Sequence, residues 1–261
     1  MQPYPYALQL YSVRDYCEAN PESGLRRVKA AGYDYVELAG LYGLEATALK
    51  DLLDTVELTP VSMHVGIEEI VGDTSSVARQ AKEMGVDYVV VPWLGGEACP
   101  DKKHWLLAAE SMNVVGAALR GEGIHLCYHN HAHEFERLDD VAIFDLIFSN
   151  TDPESLKIEL DTCWSTVGGE DTVALMQRYA GRIPLVHIKD CKPLADSGDA
   201  PVQFTELGRG IMDFTRVLPA ARAAGATWFI VEQDESDGDT LESAEINAAF
   251  MKAQNDLAAL R

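Results

Sequence analysis

Residues 83–91, EMGVDYVVV, decide the fold. A helical run, SVARQAKEM at 76–84, stops at Gly85, and an apolar β-branched run, Tyr88 to Val91, follows almost at once. Glycine just past a helix end takes the left-handed backbone at little cost, so this junction ends a helix and starts a strand. The same device recurs in AAGYDYVEL (30–38), GEGIHLCYH (121–129) and AAGATWFIV (223–231).

Working outward from these four copies, short apolar runs recur along the whole chain. They lie at 7–10, 35–38, 61–64, 88–91, 125–128, 156–160, 185–188 and 228–231. Between them lie stretches with helical spacing, among them TALKDLLDT (47–55), HWLLAAESMNVVGAALR (104–120) and FTRVLPAARAA (214–224). Continuous apolar strands imply burial on both faces, as in a parallel sheet covered by helices. Eight strand–helix units in 261 residues match a (β/α)8 TIM barrel, with 1–261 forming a single domain. A doubly wound open sheet would carry a glycine-rich phosphate loop after its first strand. Here that position holds YSVRDYCEANPESG (11–24), in which Asn20-Pro21 reads as a helix N-cap and first turn.

Forty-two Asp and Glu against 21 Lys and Arg give a net charge of −21. That balance opposes binding to phosphate backbones and anionic membranes, so neither nucleic acid nor membrane is an expected partner. The five cysteines form no C-x-x-C pair, as expected of free thiols in a reducing compartment. No stretch approaches the length of a membrane-spanning helix, and the first residues do not read as a signal peptide. Together these point to a cytoplasmic protein; the sequence leaves its oligomeric state open, a homo-oligomer included.

In a barrel of this kind the chemistry belongs at the C-terminal strand ends. Those ends supply Gln9, Tyr11, Glu37, His64, Trp93, His129-Asn130-His131, Asp161, His187, Lys189, Asp190, Glu232 and Asp234. His129, Asp161, His187 and Glu232 come one each from four consecutive strands. Two carboxylates and two imidazoles converging there suit Mn, Co, Zn or Fe as one divalent ion better than calcium. Without a cation the two carboxylates would repel each other.

The segments LQLYSVRD (8–15), YHNHAHEFE (128–136), IELDTCW (158–164), RIPLVHIKD (182–190), ELGRGIMDF (206–214) and WFIVEQD (228–234) resemble the sugar phosphate isomerase/epimerase family, xylose isomerase-like barrels that include inosose dehydratases and endonuclease IV. The resemblance runs in order along essentially the full chain. It implies one divalent metal held by Glu, Asp, His and Glu from strands five to eight, polarising a sugar or keto-sugar for enolisation through a metal-stabilised enediolate. Asp161, His187 and Glu232 match three of these positions, and His129 replaces the first Glu, as on the inosose dehydratase side of the family. Since the epimerases use two opposed Glu bases, this replacement puts two-base epimerisation in doubt.

The reaction expected is isomerisation or epimerisation of a sugar or keto-sugar, with dehydration of a keto-sugar or inosose as the alternative. A non-catalytic sugar-binding protein and a hydrolase of damaged DNA are further alternatives. The last is opposed by the charge and by Trp93 and Trp164, which stand where extra histidine ligands would be required. Glu232 is the expected general base. Lys189 would neutralise an oxyanion, or else pair with Asp190 or another rim acid. Glu134 would fold back as ligand or base, or lie in a solvated loop. His64 and His131 would meet substrate hydroxyls, Trp93 and Trp164 would form an apolar floor for a sugar ring, and Arg209 would clamp an anionic group. Cys127 and Cys163 read as small buried fillers.

Overall fold

The computed structural model describes residues 2–193 and 202–260. Eight parallel strands close into a barrel: β1 (Tyr6–Gln9), β2 (Tyr35–Leu38), β3 (Thr59–His64), β4 (Tyr88–Val91), β5 (His125–His129), β6 (Lys157–Asp161), β7 (Leu185–Ile188) and β8 (Trp228–Val231). Each pairs with its sequence neighbours, and β8 closes on β1 through Tyr6–Phe229, Ala7–Ile230 and Leu8–Val231. The expected strands are all present, with ends displaced by one or two residues. Leu10, placed in the first strand by its apolar character, instead opens a 3-10 turn over Leu10–Val13. Its start is fixed by the Gln9 side chain accepting from the Tyr11 N–H.

Local chemistry sets the element ends. Asn20 caps the helix Pro21–Ala30 by accepting from the Ser23 N–H at 2.9 Å, with Pro21 in its first turn. Gly85 and Gly225 end their helices at φ 73° and 105°, where a side chain would be strained.

Inside the barrel, strand pleating sorts residues into layers. Ala7, Val61, Val90, Cys127, Leu185 and Ile230 form a buried apolar cluster of their own. Two residues farther along the same strands stand Gln9, His129, His187 and Glu232. A side-chain period of two keeps these on the same inward face, one layer nearer the mouth. The outer faces pack against the helices in one continuous apolar core. Cys127 fills part of the inner layer, as expected of a small buried side chain.

Two small hairpins follow β5 and β7, outside the eight strands expected from the sequence. Arg137–Leu138 pairs with Val141–Ala142, and Asp190–Pro193 pairs with Val202–Thr205. The second carries Phe204 over the site. No helix among the described residues is long and apolar enough to cross a membrane.

Candidate metal and substrate site at the barrel mouth

His129 ends β5, Asp161 ends β6, His187 lies in β7 and Glu232 follows β8. One donor atom from each lies within 4.8 Å of the others, and all four side chains are buried. The site thus brings together the four residues picked from separate strands. Asp161 is set by a second task as well: its Oδ1 caps the helix Thr162–Val167 by accepting from the Trp164 N–H at 2.7 Å. Its Oδ2 is buried without a hydrogen-bond partner and faces Lys189 Nζ at 3.1 Å.

Beneath this group lies a carboxylate layer whose role the sequence reading missed. Glu37 and Glu159 are fully buried. Glu37 accepts from Gln9 Nε2 at 2.8 Å and from Ser62 Oγ at 2.5 Å, and faces His187 Nε2 at 2.7 Å. Glu159 Oε2 faces His64 Nε2 at 2.9 Å, His187 Nε2 at 3.2 Å and His129 Nδ1 at 3.3 Å. With Nε2 of His187 engaged below, its Nδ1 is turned to Glu232 Oε2 at 2.9 Å. A carboxylate on the far nitrogen is the usual way a metal-binding imidazole is held in one tautomer and orientation. The signal was available in the sequence, because Glu159 sits two residues before Asp161 and shares its inward face.

Burial and neighbouring charges together set the ionisation of these groups. Burial opposes ionisation of Glu37, but His64 and His187 hold its carboxyl well below the usual range. Burial likewise opposes protonation of His64, yet Glu37 and Glu159 push it up to about 10. His131 is driven the other way, down to about 3, by burial and then by Lys189. Burial works against the charge on Glu232, and Lys189 with His187 outweighs it, holding the carboxyl well below normal.

Lys189 does not pair with Asp190. Its buried ammonium meets Glu232 at 2.7 Å, Asp234 at 2.9 Å and Asp161 at 3.1 Å, and faces the rings of Trp164 and Phe204. Asp190 points away from the site and binds the backbone N–H groups of Gly208, Gly210 and Met212 at 2.9, 2.9 and 3.1 Å. A Cβ at Gly210 would fall 2.2 Å from Asp190 Oδ1, which explains the glycine in the ELGRG turn.

A cavity of about 660 Å³ opens above the four-donor group, lined in part by His64, Trp93, His129, His131, Glu232 and Asp234. Three of the expected substrate residues, His64, His131 and Trp93, therefore face it, although Trp93 stands at the half-exposed rim rather than as a floor. Trp164 lines an adjoining cavity instead.

Two expectations are corrected. Glu134 is neither solvated nor turned to the four-donor group. It is fully buried, accepting from Tyr128 Oη at 2.6 Å and from the His131 N–H at 2.8 Å, and so braces its own loop. Arg209 lines neither cavity; it is solvent-exposed and pairs with Glu206 at 3.0 Å because the Asp190-centred turn directs it outward. Cys163 is buried as expected, but its Sγ touches that of Cys191 at 2.9 Å.

The chain is 25% identical to an inosose dehydratase of Lacticaseibacillus casei over 261 residues, covering 87% of each chain. A solved sugar phosphate isomerase/epimerase from Parabacteroides distasonis superposes with a TM-score of 0.79 at 26% identity, over 97% of this chain and 95% of that one. The IOLI protein, solved with a binding zinc atom, shares the fold at a TM-score of 0.74 and 15% identity, over 96% of this chain and 99% of that one. The family model for the xylose isomerase-like TIM barrel matches residues 25–254, and with the closed eight-stranded barrel this shows that the chain belongs to that family.

Proposed function

We propose that this protein is a divalent-metal-dependent enzyme that removes a proton beside the carbonyl of a sugar, keto-sugar or cyclitol, and that it works with one carboxylate base. The observation carrying this reading is that Glu232 is the one carboxylate of the four-donor group that lines the cavity. Asp161, the other, is committed to Trp164 and Lys189.

The donor set fits a transition metal. Two imidazoles and two carboxylates lie within 4.8 Å, and carboxylates of the layer below engage His187 and lie 3.3 Å from His129. His129, Asp161, His187 and Glu232 would hold the ion, with Mn, Co, Zn or Fe the suitable metals. When bound, it would polarise the carbonyl and offset the negative charge that develops as the proton leaves.

Glu232 takes the proton. Lys189, in contact with it, keeps it ionised and supplies positive charge close to where an oxyanion forms. His64 and His131 line the cavity and orient hydroxyls, and the half-exposed ring of Trp93 covers the outer side. With histidine at position 129, the second carboxylate needed for two-base epimerisation is missing. One carboxylate suffices for isomerisation, in which it returns the proton to the adjacent carbon, and for elimination, in which it passes the proton to the departing hydroxyl; the inosose dehydratase relatives favour elimination.

The test is to incubate metal-reconstituted enzyme with ketoses and inososes in deuterated water and follow the products by NMR. Deuterium entering beside the carbonyl or loss of water, both abolished in Glu232→Gln, supports the reading. Neither reaction in any metal-loaded sample would refute it.

A further inference from the structure

The cavity above Glu232 has a neighbour. A second cavity, of about 600 Å³, shares His131, Phe204 and Glu235 with the first, so the two are lobes on either side of one wall. Each falls within the roughly 300–1,000 Å³ range of small-ligand sites. The lobes differ in character. The first is lined by His129 and Glu232 of the four-donor group, with Asp234 and Glu235, whereas the second sets the aromatic rings of Trp164, Phe135 and Phe204 beside His133, Glu136 and Glu235. Trp164 and Phe204 meet edge to face at 5.3 Å, which leaves a shaped aromatic surface.

The junction holds unspent hydrogen-bonding capacity. His131, which lines both lobes, has a buried Nδ1 without a partner. Trp164, whose ring lies 5.6 Å from that of His131, has a buried Nε1 without one. Buried polar atoms normally have partners, and two left open beside the residues shared by the cavities are available to a ligand atom.

We propose that the second lobe is a subsite for a second ring, so that the substrate is a glycoside-like molecule of two parts rather than a free monosaccharide or cyclitol. The reacting sugar ring sits above Glu232, the linking atom passes His131 and Trp164, and the second ring lays an apolar face on Trp164 and Phe204. This deepens the function proposed above and rests on the first lobe being a sugar site.

The probes are the methyl and phenyl β-glycosides of D-glucose, D-galactose and D-xylose, titrated against the zinc-loaded full chain by saturation-transfer NMR. The phenyl member of a binding pair is expected to bind about tenfold tighter, from burial of one ring face. Val202 lines only the second lobe, so Val202→Trp should bring the phenyl glycoside down to the methyl level and leave methyl binding unchanged. Equal affinity of the two in wild type, or a loss shared by both in Val202→Trp, overturns the subsite and leaves the sugar site standing. Failure of every glycoside to bind overturns the sugar site, and the subsite with it.

Discussion

The ammonium of Lys189 lies 2.7 Å from Glu232 Oε2, with Lys189 only 1% exposed. A buried cation is tolerated only when paired, and here Asp161, Glu232 and Asp234 surround it. The lysine therefore offsets, in the absence of an ion, part of the same negative charge that a metal would neutralise.

Replacing it should separate the two roles. Lys189→Met leaves buried carboxylates uncompensated and is expected to cost about 3–5 kcal/mol in metal-free protein. Added Mn or Zn should restore most of that loss, because the ion then takes over the neutralisation. Thermal unfolding with and without metal measures it; an equal loss in both conditions would contradict the placement of the ion beside Lys189.

Glu37 touches His187 Nε2 at 2.7 Å from the layer beneath the four-donor group. Glu37→Gln should weaken metal binding about 10- to 100-fold while Glu232 and Asp161 remain in place. Competition with a chromophoric chelator reads the affinity directly, and unchanged affinity would show that the imidazole does not depend on this carboxylate.

Asp161→Asn should remove the bound ion without unfolding the barrel. Asparagine caps a helix as well as aspartate does, so the Trp164 N–H stays satisfied while the ligand charge is lost. Elemental analysis of purified protein should find about one transition metal per wild-type chain and far less in the variant. A variant that retains the ion would refute the assignment of Asp161 as a ligand.

His129→Glu installs a second carboxylate within reach of the same donor group as Glu232. The expected result is a rise in the proportion of epimerised product relative to eliminated or isomerised product, measured by NMR on a substrate that the wild type turns over. An identical product ratio would confine residue 129 to holding the metal.

The Asp190 and Arg209 pair tests the loop. Asp190→Ala orphans the N–H groups of Gly208, Gly210 and Met212 and should destabilise the chain by about 2–4 kcal/mol. Arg209→Ala removes only an exposed ion pair and should stay within about 0.5 kcal/mol with kcat/KM unaltered. A large activity loss in Arg209→Ala would reinstate it as a substrate contact.

How much of this was legible in the chain follows from the range of each interaction. Helix ends at Asn20, Gly85 and Gly225 are decided within a few residues by capping and by backbone sterics, and they can be read directly. The alternation of apolar strands and amphipathic helices is also local, and once eight such units are counted the barrel follows. The convergence of His129, Asp161, His187 and Glu232 was accessible too, because strand ends converge in a closed barrel and these four lie at or next to the ends of successive strands.

Tertiary structure alone decided which atoms meet. Glu37 and His187 are 150 positions apart and touch because the tilt and stagger of the strands set how far each reaches into the barrel. The turn of Lys189 toward Glu232 rather than Asp190, the withdrawal of Glu134 into its loop, and the outward display of Arg209 depend on packing among neighbouring segments. Local pattern determined which residues reach the mouth of the barrel. The hydrogen bonds and charge pairs formed there, between residues far apart in the chain, determined what each one does.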